Sequence, residues 1–144
     1  MMKTIVFKPL TVTKIPIEAE ILSPQKLAGK KTDEVGELSV FQGNKTHRLS
    51  EFFSIEGEIA DNENEIRIII DGDVPHTKYI GTGMQAGEIL IKGNVGMHTG
   101  SQMKGGKITV EGNASDWAGA EMSGGILLIN GNSGHQLGSA YRGS

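Results

Sequence analysis

The hydrophobic positions in the second half of the chain cluster in short blocks of strand length. Glu88-Ile89-Leu90-Ile91-Lys92, Lys107-Ile108-Thr109-Val110-Glu111 and Ile126-Leu127-Leu128-Ile129-Asn130 each read as one short strand. No window of residues 71–144 repeats apolar residues at i, i+3, i+4 and i+7 over a helical length. Alternation places Ile89, Ile91, Ile108, Val110, Leu127 and Ile129 on an inner face. Glu88, Leu90, Lys107, Thr109, Ile126 and Leu128 then face outward. Residues 1–70 are patterned differently. Thr4–Lys8, Lys14–Leu22, Glu37–Phe41, Phe52–Ile55 and Glu65–Ile70 read as strands, and Asp61–Glu65 as a charged loop. Ser23-Pro24 reads as the start of a short helix that Gly29 closes.

The strand blocks recur every 19 residues, and so does almost everything between them. GNVGMHTGSQMKGGKITVE from Gly93 is followed by GNASDWAGAEMSGGILLIN from Gly112 and a partial GNSGHQLGSAYRGS from Gly131. An earlier copy from Gly72 fits with two extra residues before Gly81. Four columns align: Gly93/Gly112/Gly131, Asn94/Asn113/Asn132, Gly81/Gly100/Gly119/Gly138 and Gly87/Gly106/Gly125. Met84/Met103/Met122 form a fifth, with Tyr141 in the last copy. Strands that stack in parallel bring each phase onto its own copy, whereas a hairpin meander reverses direction at every step. The expected fold is mainly β: a right-handed parallel β-helix, a solenoid of 19-residue coils over 71–144, preceded by a small mixed capping region over 1–70. Phe41, Phe52, Phe53 and Ile55 would cover its N-terminal end. Glycine at fixed phases would serve left-handed corners or close backbone approach, and the Asn column would form an amide ladder. Gly-Asn turns keep a hairpin reading open. The last unit stops at Ser144 after 14 residues, so the solenoid is expected to be cut short, with an open end prone to self-association.

Composition sharpens this picture. Of the 21 glycines, 17 lie in residues 71–144 with only 11 charged residues; residues 1–70 hold 4 glycines and 20 charged residues, which sets the expected boundary near Asp71. The net charge of −3 argues against a nucleic-acid partner or an anionic membrane. With no cysteine, thiolate metal sites, cysteine-held clusters and a cysteine nucleophile are excluded. No apolar run is long enough to span a bilayer and no signal sequence is evident, so a cytoplasmic location is expected.

Candidate chemistry is sparse. GTGMQAG at Gly81–Gly87 lacks the glycine spacing of a dinucleotide loop and precedes a strand, which makes it a corner. His47, His76, His98 and His135 share no metal-ligand spacing, although His98 aligns with Trp117 and Gln136. Met84, Met103 and Met122 read as core fillers. Asp71, Asp73, Asp116 and Glu121 show no carboxylate pairing, so no catalytic, cofactor-binding or metal site is expected. The outward apolar pair Ile126 and Leu128 suggests a partner contact or a strip covered by a side loop. Trp117 suggests an interface anchor or local packing.

The repeats GNVGMHTGSQMKGGKITVEGN and GNASDWAGAEMSGGILLINGN, the closing GSAYRG and the N-terminal IPIEAEILSPQKLAGKK resemble the C subunit of formylmethanofuran dehydrogenase. The glycine-rich part alone is similar to the β-helical domain of the glutamate synthase large subunit and to a component of the bacterial formyltransferase/hydrolase complex. The resemblance implies an architectural, non-catalytic subunit of a complex that reduces CO2 to formylmethanofuran, or runs the reverse, in methanogenesis-type one-carbon metabolism. It also implies that a tungsten or molybdenum pterin, Fe–S clusters and dinuclear hydrolase metals sit in partner subunits, with no cofactor in this chain.

Overall fold

The computed structural model describes residues 1–135 and 137; Gly138 and Tyr141 of the aligned columns lie outside them. The elements run β1 (Lys3–Pro9), β2 (Ile17–Glu18), α1 (Pro24–Leu27), α2 (Thr32–Gly36), β3 (Ser39–Gln42), β4 (Lys45–Arg48), β5 (Phe53–Gly57), β6 (Ile66–Ile70), β7 (Thr77–Lys78), β8 (Glu88–Ile91), β9 (Lys107–Val110) and β10 (Ile126–Ile129). They build a six-stranded sheet of order β10-β9-β8-β6-β1-β5 and a four-stranded sheet of order β4-β3-β2-β7.

The expected class, mainly β, stands, but the right-handed parallel β-helix preceded by a capping region does not describe these sheets. Both are mixed. β1 lies beside β6 in parallel, with Ile5 opposite Ile68, and beside β5 antiparallel, with Phe7 opposite Ile55. β2 pairs in parallel with β7 and antiparallel with β3. The physical reason lies in the side chains of β1. Its buried Ile5 and Phe7 project into the same core as Ile66, Ile68 and Ile70, so its backbone completes the β6 edge. Periodicity detects only segments that copy one another, and β1 and β5 are copies of nothing. Phe53 is buried with its ring edge-on to Phe7 at 6.0 Å, whereas Phe41 is 48% exposed on β3. β2 is shorter than Lys14–Leu22: Pro16 has no N–H to donate, so pairing starts at Ile17, and after Ala19 the chain turns, with the Leu22 N–H donating to the Ala19 carbonyl.

Within the larger sheet, β8, β9 and β10 pair in parallel at an offset of 19 residues: Ile89 faces Ile108, which faces Leu127. Between the strands, Val74, Val95, Ala114 and Ser133 form a second line of parallel bridges. Ile89, Ile91, Ile108, Val110, Met84 and Met103 are buried, with Met122, Leu127 and Ile129 packed partly buried against them. Side chains of the Asn column do not pair amide to amide. Instead each oxygen accepts the next copy's backbone N–H: Asp73 Oδ1 from Asn94 at 2.9 Å, Asn94 Oδ1 from Asn113 and Asn113 Oδ1 from Asn132, both at 2.8 Å. Asp73 heads this line because a carboxylate accepts as an amide oxygen does.

Two glycine columns serve different ends. Gly87, Gly106 and Gly125 have φ of +82°, +78° and +80°, and a Cβ on Gly106 would stand 2.8 Å from the Gly87 carbonyl oxygen. Gly93 and Gly112 have no positive φ, but a Cβ there would lie 2.6 Å from the Oδ1 of Asp73 or Asn94. In the first column a side chain costs about 1–2 kcal/mol in conformation alone, and overlap adds a further ~1–3 kcal/mol. Gly106→Val is therefore expected to lower the melting temperature by roughly 10 °C. Exposed Lys104→Ala should change it little; equal melting of the two variants in a thermal scan would contradict this packing.

Candidate functional site

Among the described residues four phases of the repeat hold left-handed backbone, and two of these columns include residues that are not glycine. One such column is Tyr79, His98 and Trp117, at φ of 66°, 61° and 66°. Side chains at these matched corners leave the backbone in the same direction, and their rings stack. Tyr79 and His98 lie 4.9 Å apart at 11° between planes, and His98 and Trp117 lie 5.9 Å apart at 9°. All three are half-buried. The other column contains Gln102 and Glu121, joined from Nε2 to Oε2 at 3.3 Å.

A polar chain runs beneath the rings. Ser101 Oγ donates to the Trp117 carbonyl at 3.3 Å, and His98 Nδ1 lies 3.3 Å from the same Oγ. A hydroxyl has one proton, so His98 must donate through Nδ1–H, which sets its neutral tautomer. The His98 pKa is lowered from the ordinary 6.5, first because partial burial penalises the imidazolium and second because Lys78 is a nearby cation.

The structure therefore brings His98 and Trp117 together. Tyr79 extends the column, and sequence reasoning missed it. The signal was available: it precedes Gly81 by the same two residues that separate His98 from Gly100 and Trp117 from Gly119. Ile126 and Leu128 lie elsewhere, on β10, where they are 53% and 45% exposed. Glu88 lies opposite Lys107 in the β8–β9 register but holds Arg67 at 3.0 Å. Among the glycines, Gly81, Gly100, Gly119 and Gly125 all have positive φ, while Gly131 does not. Among the described residues no three His, Asp or Glu side chains gather as a metal site, and no helix is long and apolar enough to cross a membrane.

No protein-family model matches the chain. The C subunit of tungsten-containing formylmethanofuran dehydrogenase 2 from Methanothermobacter thermautotrophicus is 51% identical over 99 residues, which is 69% of this chain and 37% of that protein. The C subunit of molybdenum-containing formylmethanofuran dehydrogenase 1 from Methanosarcina barkeri is 46% identical over 97 residues, 67% of this chain and 32% of that protein. This chain is similar to the C subunits of formylmethanofuran dehydrogenases. It spans about a third of the length of these relatives. A crystal structure of the formyltransferase/hydrolase complex of Methylorubrum extorquens, with methylofuran bound, contains a chain of the same fold. The TM-score is 0.85 at 24% identity, over 96% of this chain and 51% of that one.

Trp117 is the single tryptophan, so its emission reports on the stack. A folded pKa below the unfolded one means the stack's contribution to stability is present above the unfolded-state pKa and lost as pH falls through the folded value. Trp117 emission is expected to titrate with a midpoint below 6.5, and Lys78→Ala should raise that midpoint. Emission independent of pH would contradict the stacked arrangement, and a midpoint at or above 6.5 would contradict the lowered His98 pKa.

Proposed function

We propose that the chain is an architectural, non-catalytic component of a formylmethanofuran dehydrogenase-like complex, at work in the cytoplasm in CO2 reduction to formylmethanofuran or its reversal. The observation that carries this reading is the identity of about half over 99 residues to proteins named as the C subunit of that enzyme. The relatives' names include tungsten or molybdenum. This chain offers those metals no thiolate, and the described residues hold no cluster of three ligands. On this reading the metal-pterin, the Fe–S clusters and the dinuclear hydrolase metals belong to other subunits that the chain positions. Its side chains supply rigid placement: glycines where no Cβ fits, Asn94 and Asn113 tying successive units, and Trp117, Ile126 and Leu128 as contact residues.

The shared fold with a chain of a formyltransferase/hydrolase complex supports a second reading, a member of that kind of assembly. Affinity purification of the tagged chain from its native cells separates the two. The first reading expects a metal-pterin subunit and an amidohydrolase-like subunit to co-purify, with tungsten or molybdenum in the eluate by elemental analysis. Formyltransferase and hydrolase subunits without either metal would favour the second. A chain that elutes alone from fresh lysate contradicts both.

A further inference from the structure

For the contact residues of β10 the occupant can be named from the pattern of the sheet face to which they belong. The outward side chains of β1, β6, β8, β9 and β10 form rows that run across the strands. The middle row is Val6, Ile69, Leu90, Thr109 and Leu128, four aliphatic side chains in five. Every member is partly or well exposed, and a shallow groove lies over Leu90 and Thr109. In each of the three central strands, the middle residue is flanked two positions away by opposite charges: Arg67 and Asp71, Glu88 and Lys92, Lys107 and Glu111. The sign alternates from strand to strand, so one flanking row reads +, −, + and the other −, +, −.

Such a face is self-complementary under one symmetry operation. Take a two-fold axis that lies over the middle row and runs along it, across the strands. Rotation about it sets each strand on its own copy and exchanges the two flanking rows. Arg67 then meets the second copy's Asp71, Glu88 meets Lys92 and Lys107 meets Glu111, while the aliphatic row packs on itself. All three central strands satisfy the match; at the edge of the sheet Glu56 of β5 continues the middle row beside Val6, and because it would meet its own copy there the contact ends at β1. An isologous contact requires that each residue's partner be matched reciprocally, and aligned sheet-on-sheet packing is a common arrangement. We propose that this sheet face is an interface with a second copy of the same chain. The inference assigns Leu128 to a second copy of the chain and leaves Trp117 as the contact with other subunits.

Five strands at ~4.8 Å and five residues at ~3.3 Å give a patch of roughly 20 by 15 Å, on the order of 300 Å² per copy. That is well short of the ~800 Å² per partner of stable interfaces. The dimer is therefore weak and concentration-dependent, and charge matching decides its geometry.

The test is sedimentation velocity of the full chain across two decades of concentration, at low salt. Wild-type chain is expected to shift from monomer to dimer. Lys107→Glu alone and Glu111→Lys alone should each weaken the dimer roughly tenfold or more, because each variant opposes like charges twice across the axis. The double variant exchanges the two charges, keeps the net charge, and should recover wild-type association within about threefold. Both side chains are exposed and neither forms an ion pair among the described residues, so the fold should persist by circular dichroism. Leu128→Lys should also weaken the dimer. A chain monomeric at every concentration, or association of equal strength in all variants, overturns the proposal. Neither result bears on which subunits co-purify, so the two readings fail separately.

Discussion

Close approach of one backbone segment to the segment 19 residues earlier governs this molecule. At Gly106 and Gly112 the neighbouring backbone oxygen or Oδ1 lies within 2.8 Å of where a Cβ would be, too close for one to fit. Those contacts put β8, β9 and β10 in a single parallel register, and the register lines up like side chains. Aliphatic residues meet inside, Asn oxygens meet the next copy's N–H groups, and Tyr79, His98 and Trp117 stack at the corner. A shift by one residue would turn every inner side chain outward. Register is thus the common cause of the core, the ladder and the aromatic column.

The N-terminal half shares this core. β1 lies between β6 and β5, so one sheet runs from Phe53–Gly57 to Ile126–Ile129 and draws strands from both halves. The second sheet, through β2 and β7, ties residues 17 and 18 to residues 77 and 78. The conformational cost of five non-glycine residues at positive φ is carried by the same packing.

The strands of the second half were legible because alternation and a constant spacing reinforce each other. Ile89, Ile108 and Leu127 were correctly placed on one face, and Ile126 and Leu128 on the other. Sheet composition was not legible. Lys3–Pro9 carries a strand pattern but no copy of any other segment, so nothing in the chain marks β6 as its neighbour. β4 and α2 went unseen because Lys45–Arg48 and Thr32–Gly36 are mostly polar and short. At the candidate site, His98 and Trp117 were aligned in sequence, but their stacking depends on left-handed backbone at residues that are not glycine. Tyr79 was hidden by the two extra residues in its unit. The opposite charges flanking Ile69, Leu90 and Thr109 become meaningful only once those residues are known to share one row.

Methyl-resolved nuclear Overhauser spectroscopy of the isotope-labelled chain tests the register most directly. The structure predicts cross-peaks from Ile89 to Ile108 and from Ile108 to Leu127, with Val74, Val95 and Ala114 linked in a second line. Cross-peaks that instead join Ile89 to Val110, the pattern of an antiparallel pair, would contradict the account.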